Sequence, residues 1–232
     1  MFQHAATTLC LICLTAGLAA CTGAPALDTG PPFEPLFPPG DTSAWRLSSS
    51  KAKGWVFTET GFGREQDGAG TLITTKPYKD FELVFEWKVS VGGNSGVIYR
   101  AQRGRGLEYQ VLDDERHRAA KGGPINQSGA LYNLKAPIDN KPYKPAGQWN
   151  TGRIIAVGDR MEHWLNGVKV VELDLTGGDW EASYRKSKYA ELNHPNFGRV
   201  AGPIMFQDHG DNAWYRNVRV RQLSDEPSVE SK

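Results

Sequence analysis

The chain has 232 residues, with 27 Lys and Arg against 26 Asp and Glu, so its formal net charge of +1 offers no electrostatic footprint for nucleic acid or for an anionic membrane surface. Hydrophobic residues make up 39% and aromatic residues 10%, beside 26 Gly and 14 Pro, which excludes disorder along the whole chain and supplies enough apolar surface for a core. This length fits one large domain with short appendages.

Residues 9–18 form an apolar run interrupted by Thr15, about half the roughly 20 residues that a spanning helix requires, and read as the hydrophobic part of a signal peptide. The run ends in Leu18-Ala19-Ala20-Cys21, which resembles a bacterial lipoprotein box. It predicts removal of residues 1–20 and a lipid on Cys21, although the leader offers His4 where Lys or Arg is usual. The alternative is an ordinary secretory signal with Cys21 unmodified. The lipoprotein reading places the chain in the bacterial cell envelope, periplasmic or on the outer membrane, touching a membrane through the anchor on Cys21 alone. Cys10 and Cys13 leave with the leader, so no internal disulfide forms.

Residues 21–40 hold Pro25, Pro31, Pro32, Pro35, Pro38 and Pro39 and are expected to be an extended tether, because proline removes backbone donors. A single domain is expected over 41–223, with a polar tail at 224–232. Inside it the apolar pattern has period two. Phe81 to Val89 alternates apolar odd positions with mostly charged even ones, a strand with one face on a core. Further strands are expected at 71–75, 95–100, 107–112, 153–157, 161–165, 168–173, 203–207 and 214–222. Asn166-Gly167 predicts a type I′ hairpin turn. Only 179–192 reads as a short helix, and long loops at about 113–147 and 176–200 interrupt the strands. The fold class is therefore all-β, a β-sandwich or jelly roll of two antiparallel sheets whose long loops carry function.

Strand parity sorts the polar side chains. Glu108 and Gln110 share a face opposite Tyr109 and Val111, and Glu86 and Arg100 join that face if the Phe81 strand is a neighbour. A solvated row of ion pairs is the plainer reading of the same charges. Glu108-x-Gln110-x-x-Asp113 loosely matches the Glu-x-Asp-x-x-Glu strand of laminarinase-type β-glucanases, where two carboxylates act as nucleophile and acid. Here Gln110 replaces the central Asp and Asp113 the last Glu. His209 follows Gln207 at strand spacing, and His117 opens the first long loop, while His163 and His194 read as structural. No metal, phosphate-loop or dinucleotide motif is present. A divalent cation among His209, Glu108, Asp113 and His117 is open on residue type but has no diagnostic spacing. Tyr132 and Trp149, beside the first long loop, are candidates for stacking on a sugar ring, or else they anchor that loop.

In chain order, Tyr78-Lys79-Asp80-Phe81-Glu82-Leu83 with Glu86-Trp87, Gly93-Asn94-Ser95-Gly96-Val97 with Arg100, and Leu107 to Asp113 are followed by Gly129-Ala130-Leu131-Tyr132 and Gln148-Trp149-Asn150. Then come Trp164-Leu165-Asn166-Gly167, Gly202-Pro203-Ile204, Gln207-Asp208-His209-Gly210 and Arg216-Asn217-Val218. Together these resemble the 3-keto-disaccharide hydrolase domain family over about residues 41–223, with 176–200 as an insert-like departure. The resemblance implies a concanavalin A-like jelly roll that cleaves glycosides already oxidised at sugar C3. A C3 ketone acidifies the C2 proton, so a base can remove it and the C1 substituent can leave as an alcohol. Glu108, His209 and Asp113 are the expected proton-transfer groups. Glu86, Asn94, Arg100, Gln110, His117, Tyr132, Trp149 and Gln207 are the expected substrate-binding set, with carbohydrate as the partner and a divalent cation left open as the one candidate cofactor. The competing classes are a laminarinase-like glycosidase, a non-catalytic carbohydrate-binding module and a structural envelope lipoprotein.

Overall fold

Thirteen strands carry the chain in a computed structural model that describes residues 30–38, 40–49, 54–65 and 68–223. The expected leader, Cys21 and the tail from 224 lie outside the described residues. The strands are β1 Glu34–Pro35, β2 Trp45–Leu47, β3 Trp55–Phe57, β4 Gly61–Arg64, β5 Leu72–Thr74, β6 Phe81–Val89, β7 Asn94–Gln102 and β8 Arg105–Leu112. They continue with β9 Asn150–Val157, β10 Arg160–Leu165, β11 Val168–Asp174, β12 Met205–Phe206 and β13 Ala213–Gln222, with one α-helix, α1 Gly178–Lys186, between β11 and β12. The larger sheet runs β11-β10-β9-β6-β13-β4-β3, with β1 added on β13. The smaller runs β2-β5-β12-β7-β8. All named pairs are antiparallel, so this is the expected jelly-roll sandwich.

Alternation along the strands builds the core. Phe81, Leu83, Phe85, Trp87 and Val89 of β6 are buried, as are Val97, Tyr99, Leu107, Tyr109 and Val111 of β7 and β8. Aromatic edges meet across the two sheets: Phe85 lies 5.3 Å from Tyr109 and Phe81 5.8 Å from Tyr99, both T-shaped, the arrangement that ring quadrupoles favour. Gly152 pairs with Phe85, and a Cβ there would come within 2.4 Å of the Phe85 ring, so that position admits no side chain without moving the core. Asn166 and Gly167 both take positive φ, 47° and 83°, and close the β10–β11 hairpin as their sequence predicts.

Two expectations need correction. The tether does not extend to residue 40: Glu34 and Pro35 pair with Val220 and Arg219, and Leu36 is buried. A proline can sit there because a two-residue edge strand needs few donors. The expected helix over 179–192 divides into α1 and a 3₁₀ turn at Ala190–Leu192. Ser187, extended at φ −83° and ψ 163°, breaks it.

The first long loop is pinned onto β8. Gln110 N–H donates to Ala130 O, Gly129 N–H to Gln110 O and Tyr132 N–H to Glu108 O, at 2.9–3.2 Å, so residues 129–132 cover the outer edge of that strand. Lys141 reaches Asp114 and Ser128 O, both at 2.7 Å, and Asn150 bonds both backbone groups of Lys144.

Candidate active site

Glu108 lies on the outward face of the smaller sheet, among side chains that leave it nearly sealed, with 3% exposure. Glycine at 96 makes room for it. A Cβ on Gly96 would meet Glu108 Oε1 at 2.6 Å and Gln207 Oε1 at 3.1 Å, so the carboxylate and the amide converge over one bare patch of backbone. Gln207 is placed by its own N–H, which donates to Gly96 O at 2.9 Å. Its Oε1 is buried without a hydrogen-bond partner, as is Oδ1 of Asn94, which shares the outward parity of Gly96. Buried polar atoms left without partners are costly and mark places where a ligand can satisfy them.

The other walls come from the two long loops. Tyr189 OH donates to Glu108 Oε2 at 3.4 Å, and Lys188 Nζ stands 3.9 Å from the same oxygen. Lys188 also lies 4.2 Å from the centroid of the Tyr132 ring. Desolvation pushes the Glu108 carboxyl up to about 7, against the opposing pull of Lys188 and of the Tyr189 hydroxyl. Desolvation likewise lowers Lys188 and raises Tyr189 and Tyr132, the two hydroxyls being further raised by the Glu108 charge. Because the Lys188 side chain is 43% exposed, Glu108 lies only one side chain from solvent.

His209 stands at the exposed rim of this region, two residues beyond Gln207. Its imidazole is held below the usual value, first by partial desolvation and next by the Lys188 ammonium, with Asp211 acting in the opposite sense. The neighbouring His117 acts on it in the same lowering sense, its own Nε2 lying 4.0 Å from Asp211 Oδ2. Its Nδ1 caps a 3₁₀ turn by accepting from Ala119 N–H at 3.1 Å. The structure therefore brings together Glu108, Gln207, Asn94 and Tyr132 of the expected set, with His209 and His117 at the margin.

The remaining expected site residues lie elsewhere. Asp113 is buried, but its oxygens accept from the backbone N–H groups of Gly92, Glu115 and Arg116. The register of β8 is regular through Leu112, so no bulge returns Asp113 to the face of Glu108. The paired carboxylates of the laminarinase-type alternative are thus not assembled. Arg100 sits at a bulge in β7 with φ 49°, which defeats parity. Its guanidinium turns to Lys79 O, Gly158 O, Gly198 O and Asp80 Oδ1 at 2.7–3.1 Å. Gln110 is covered by the first loop and bonds Asn126 O. Glu86 belongs to the other sheet, where it accepts two hydrogen bonds from Arg216 and one from Asn217. Partial burial raises its carboxyl, but those bonds prevail and hold it low. Trp149 packs on that same distant face, 4.1 Å from Arg216 and 5.0 Å from Lys88.

Lys188 and Tyr189 were missed by pattern reading, because they enter from the irregular segment 176–200; the length of that loop was the one signal that it carried function. Among the described residues no group of three or more His, Cys, Asp and Glu is arranged to hold a metal ion. An apolar recess of about 530 Å³ lies beside β2–β4, lined by Phe37, Trp45, Phe57 and Phe62, and its carboxylates, Asp41 and Glu59, are exposed. Desolvated acid–base chemistry belongs at Glu108.

Comparison with known proteins agrees with this architecture. Residues 32–221 match the family model described as a 3-keto-alpha-glucoside-1,2-lyase-like domain. A 3-keto-disaccharide hydrolase of Bacteroides thetaiotaomicron is 36% identical over 209 aligned positions, covering 78% of this chain and 71% of its own. A crystal structure from Parabacteroides distasonis, provisionally named as a glycosyl hydrolase, superposes with a TM-score of 0.72 at 26% identity, over 83% of this chain and 94% of that one. A β-glucanase of Bacillus licheniformis shares the fold alone, at a TM-score of 0.50 and 9% identity over 85% of this chain and all of its own.

Proposed function

The chain belongs to the 3-keto-alpha-glucoside-1,2-lyase-like domain family, and on that premise we propose that it cleaves carbohydrates, specifically glycosides that carry a ketone at C3. The observation that carries the reading is Glu108, a sealed carboxyl raised to about 7 by desolvation beside an unpartnered amide oxygen. A carboxylate is a weak base at its ordinary value; raised to near neutrality it is a stronger one that remains substantially ionised in neutral solution. Glu108 takes the C2 proton, and the electrons of that C–H bond pass into a C2–C3 enolate. The C3 carbonyl then re-forms, the C1–C2 double bond is made, and the C1–O bond breaks. The leaving oxygen takes a proton at the mouth of the site, where His209 stands. Water added across the new double bond gives net hydrolysis.

The test is to incubate the purified protein with a 3-keto-disaccharide and with its unoxidised parent, in heavy water. Consumption of the ketone alone, with deuterium at C2 of the product, is expected. Cleavage of the parent with no preference for the ketone would overturn the reading, and binding of glycans without turnover would favour a carbohydrate-binding module. Glu108→Gln should abolish both exchange at C2 and cleavage, whereas His209→Ala should retain exchange and slow cleavage.

The cellular setting we propose is the bacterial envelope, through a lipid on Cys21. No helix among the described residues is long and apolar enough to cross a membrane. Incorporation of labelled palmitate into the wild type and its absence in Cys21→Ser is the expected result.

A further inference from the structure

Removing a proton from C2 shifts one negative charge from a carboxylate to the C3 oxygen, and a catalyst must accommodate that charge at both addresses. Lys188 is built into the place where it can do so. Its Nζ lies 3.9 Å from Glu108 Oε2, and the faces of Tyr132 and Tyr189 flank it at 4.2 and 5.0 Å, holding an ammonium through their ring quadrupoles. The backbone is fixed as well, since Lys188 N–H donates to Asn133 Oδ1 at 2.7 Å. The carboxylate is sealed, while the lysine side chain is 43% exposed, so a sugar entering from solvent meets the ammonium on its way to Glu108.

We propose that Lys188 is a catalytic residue whose ammonium balances the Glu108 carboxylate before reaction and takes up the enolate oxygen at C3 after the proton has moved. This rests on the 3-keto-glycoside reading. Charge stays balanced throughout: carboxylate, ammonium and neutral ketone become carboxylic acid, ammonium and enolate. When the C1–O bond breaks, the enolate electrons return through C2, the C3 carbonyl re-forms, and the ammonium is released unchanged. Until the C1–O bond breaks, the negative charge moves only between two oxygens that face one cation; it then passes to the leaving oxygen, which takes a proton at the mouth of the site. Lysine could serve a ketone in a second way, as a neutral amine that attacks C3 and expels water to give an imine; the geometry favours the ammonium because two aromatic faces and a carboxylate all stabilise positive charge at Nζ.

The two roles differ in what an arginine can replace. With the full chain and a 3-keto-disaccharide, Lys188→Met is expected to lower kcat by about a hundredfold to a thousandfold, the usual cost of losing an oxyanion donor, with KM changed only a few-fold. Lys188→Arg is expected to recover activity to within about tenfold, since the charge is retained. The groups facing Glu108 are Lys188, Tyr189, Tyr132 and Tyr215, and those facing Lys188 are Glu108, Arg105 and His209. Of the groups facing Glu108, Lys188 alone is a cation, so the rising limb of kcat/KM against pH should move to higher pH in Lys188→Met and stay near its wild-type position in Lys188→Arg.

A Lys188→Met enzyme with wild-type kcat and an unmoved limb would reduce the residue to structural support. Arginine as inactive as methionine, together with a sugar adduct on Lys188 after borohydride reduction during turnover, would replace the ammonium with an imine. If Lys188→Met fails to fold, the arginine variant and the borohydride trap decide between these outcomes. A wild type that leaves the 3-keto-disaccharide untouched defeats the parent reading and this role with it, whereas wild-type turnover combined with either failure above defeats the role of Lys188 alone.

Discussion

The outward faces of the two sheets are both polar and use the same residue types to opposite ends. On the larger sheet charges come matched: Glu82 is gripped by Arg153 and Arg221, Glu86 by Arg216 and Asn217, and Glu162 by Arg160, with Trp164 Nε1 donating to it. Lys88 lies between Trp149 and Trp214 at 5.0 and 4.6 Å. On the smaller sheet Glu108 is more deeply buried than Glu86, yet its nearest cation stands off at 3.9 Å and its nearest hydroxyl at 3.4 Å. Matched charges give architecture, because little is left to exchange with a ligand. A desolvated charge whose partners are all at arm's length can gain or lose a proton near neutrality, and that is where chemistry becomes affordable.

The sharpest way to break this contrast is to neutralise one carboxylate on each face. Glu108→Gln should lower turnover of a 3-keto-glycoside by about a hundredfold or more, a typical acid–base contribution, while the melting temperature holds or rises. Glu82→Gln should do the reverse. Two guanidinium groups lose their charged acceptor, one of them nearly buried and the other about one-third exposed, so stability should fall by about 2 kcal/mol with turnover per folded molecule retained. Chemical denaturation and steady-state kinetics on the two variants check both. Equal loss of activity in the two, or unfolding in Glu108→Gln, would erase the distinction.

A smaller effect on turnover is expected from Gly96→Ala. The new methyl collides with the ends of Glu108 and Gln207, both of which can swing aside, so the fold survives. The base is displaced, and kcat should fall by about tenfold, since an error of an ångström in positioning is expensive in rate. Smallest of all is Trp149→Ala, which removes packing from Arg216 and Lys88 on the matched face and should leave kcat and KM within about twofold. Weakened substrate binding in that variant would put a sugar on the wrong sheet.

Stability against pH carries the same contrast. A carboxyl raised to about 7 from an ordinary 4.5 makes the folded state bind more protons than the unfolded one across that interval. Stability from Glu108 is then fully present below about 4.5 and is lost as pH rises through 7, by roughly 3 kcal/mol at most. His163, buried in the core between Tyr99 OH at 2.9 Å and Gly129 O at 3.1 Å, is lowered by desolvation to about 4. Its contribution has the opposite sign, being present above 6.5 and lost as pH falls through 4. The two oppose one another over pH 4.5–6.5, so the wild-type slope there understates the contribution of Glu108. Denaturation of Glu108→Gln against wild type should isolate the first slope, the difference growing in favour of the variant as pH rises to 7 and levelling above it. A constant difference across that range would mean that Glu108 titrates as an ordinary surface acid.

Most of the sandwich was legible because its strands are amphipathic with period two and their burial is one-sided. The alternation in Phe81 to Val89 and the Asn166-Gly167 turn fixed elements to within a residue or two. The strands at 45–47, 55–57 and 61–64 were not anticipated: they are three or four residues long, too short for alternation to stand out. Parity also placed Glu108 and Gln207 on one face correctly, and it failed at Arg100, where a bulge with positive φ re-aims the side chain. Asp113 misled because its residue type suits acid–base work equally well as it suits capping a turn, and only the N–H groups around it decide between the two. Tyr189 and Lys188 lie in irregular backbone, where no period connects position in the chain with direction in space.

The Arg100 guanidinium gives the molecule a property of another kind. One nitrogen, Nη1, donates to both Gly158 O at 2.8 Å and Gly198 O at 2.9 Å, so the turn between β9 and β10 and the far end of the loop that follows β11 are fastened at a single clasp. The β10–β11 hairpin between the two points is built into the larger sheet, so the part able to vary is the loop from Thr176 to the clasp at Gly198. Lengthening a loop that is already closed adds little entropic cost, about 0.6 kcal/mol per doubling, and need not disturb the strand that holds Glu108. Lys188 and Tyr189 lie inside that loop and Glu108 outside it. New substrate preferences can therefore be acquired by varying the loop around Lys188 and Tyr189, with the base inherited in place.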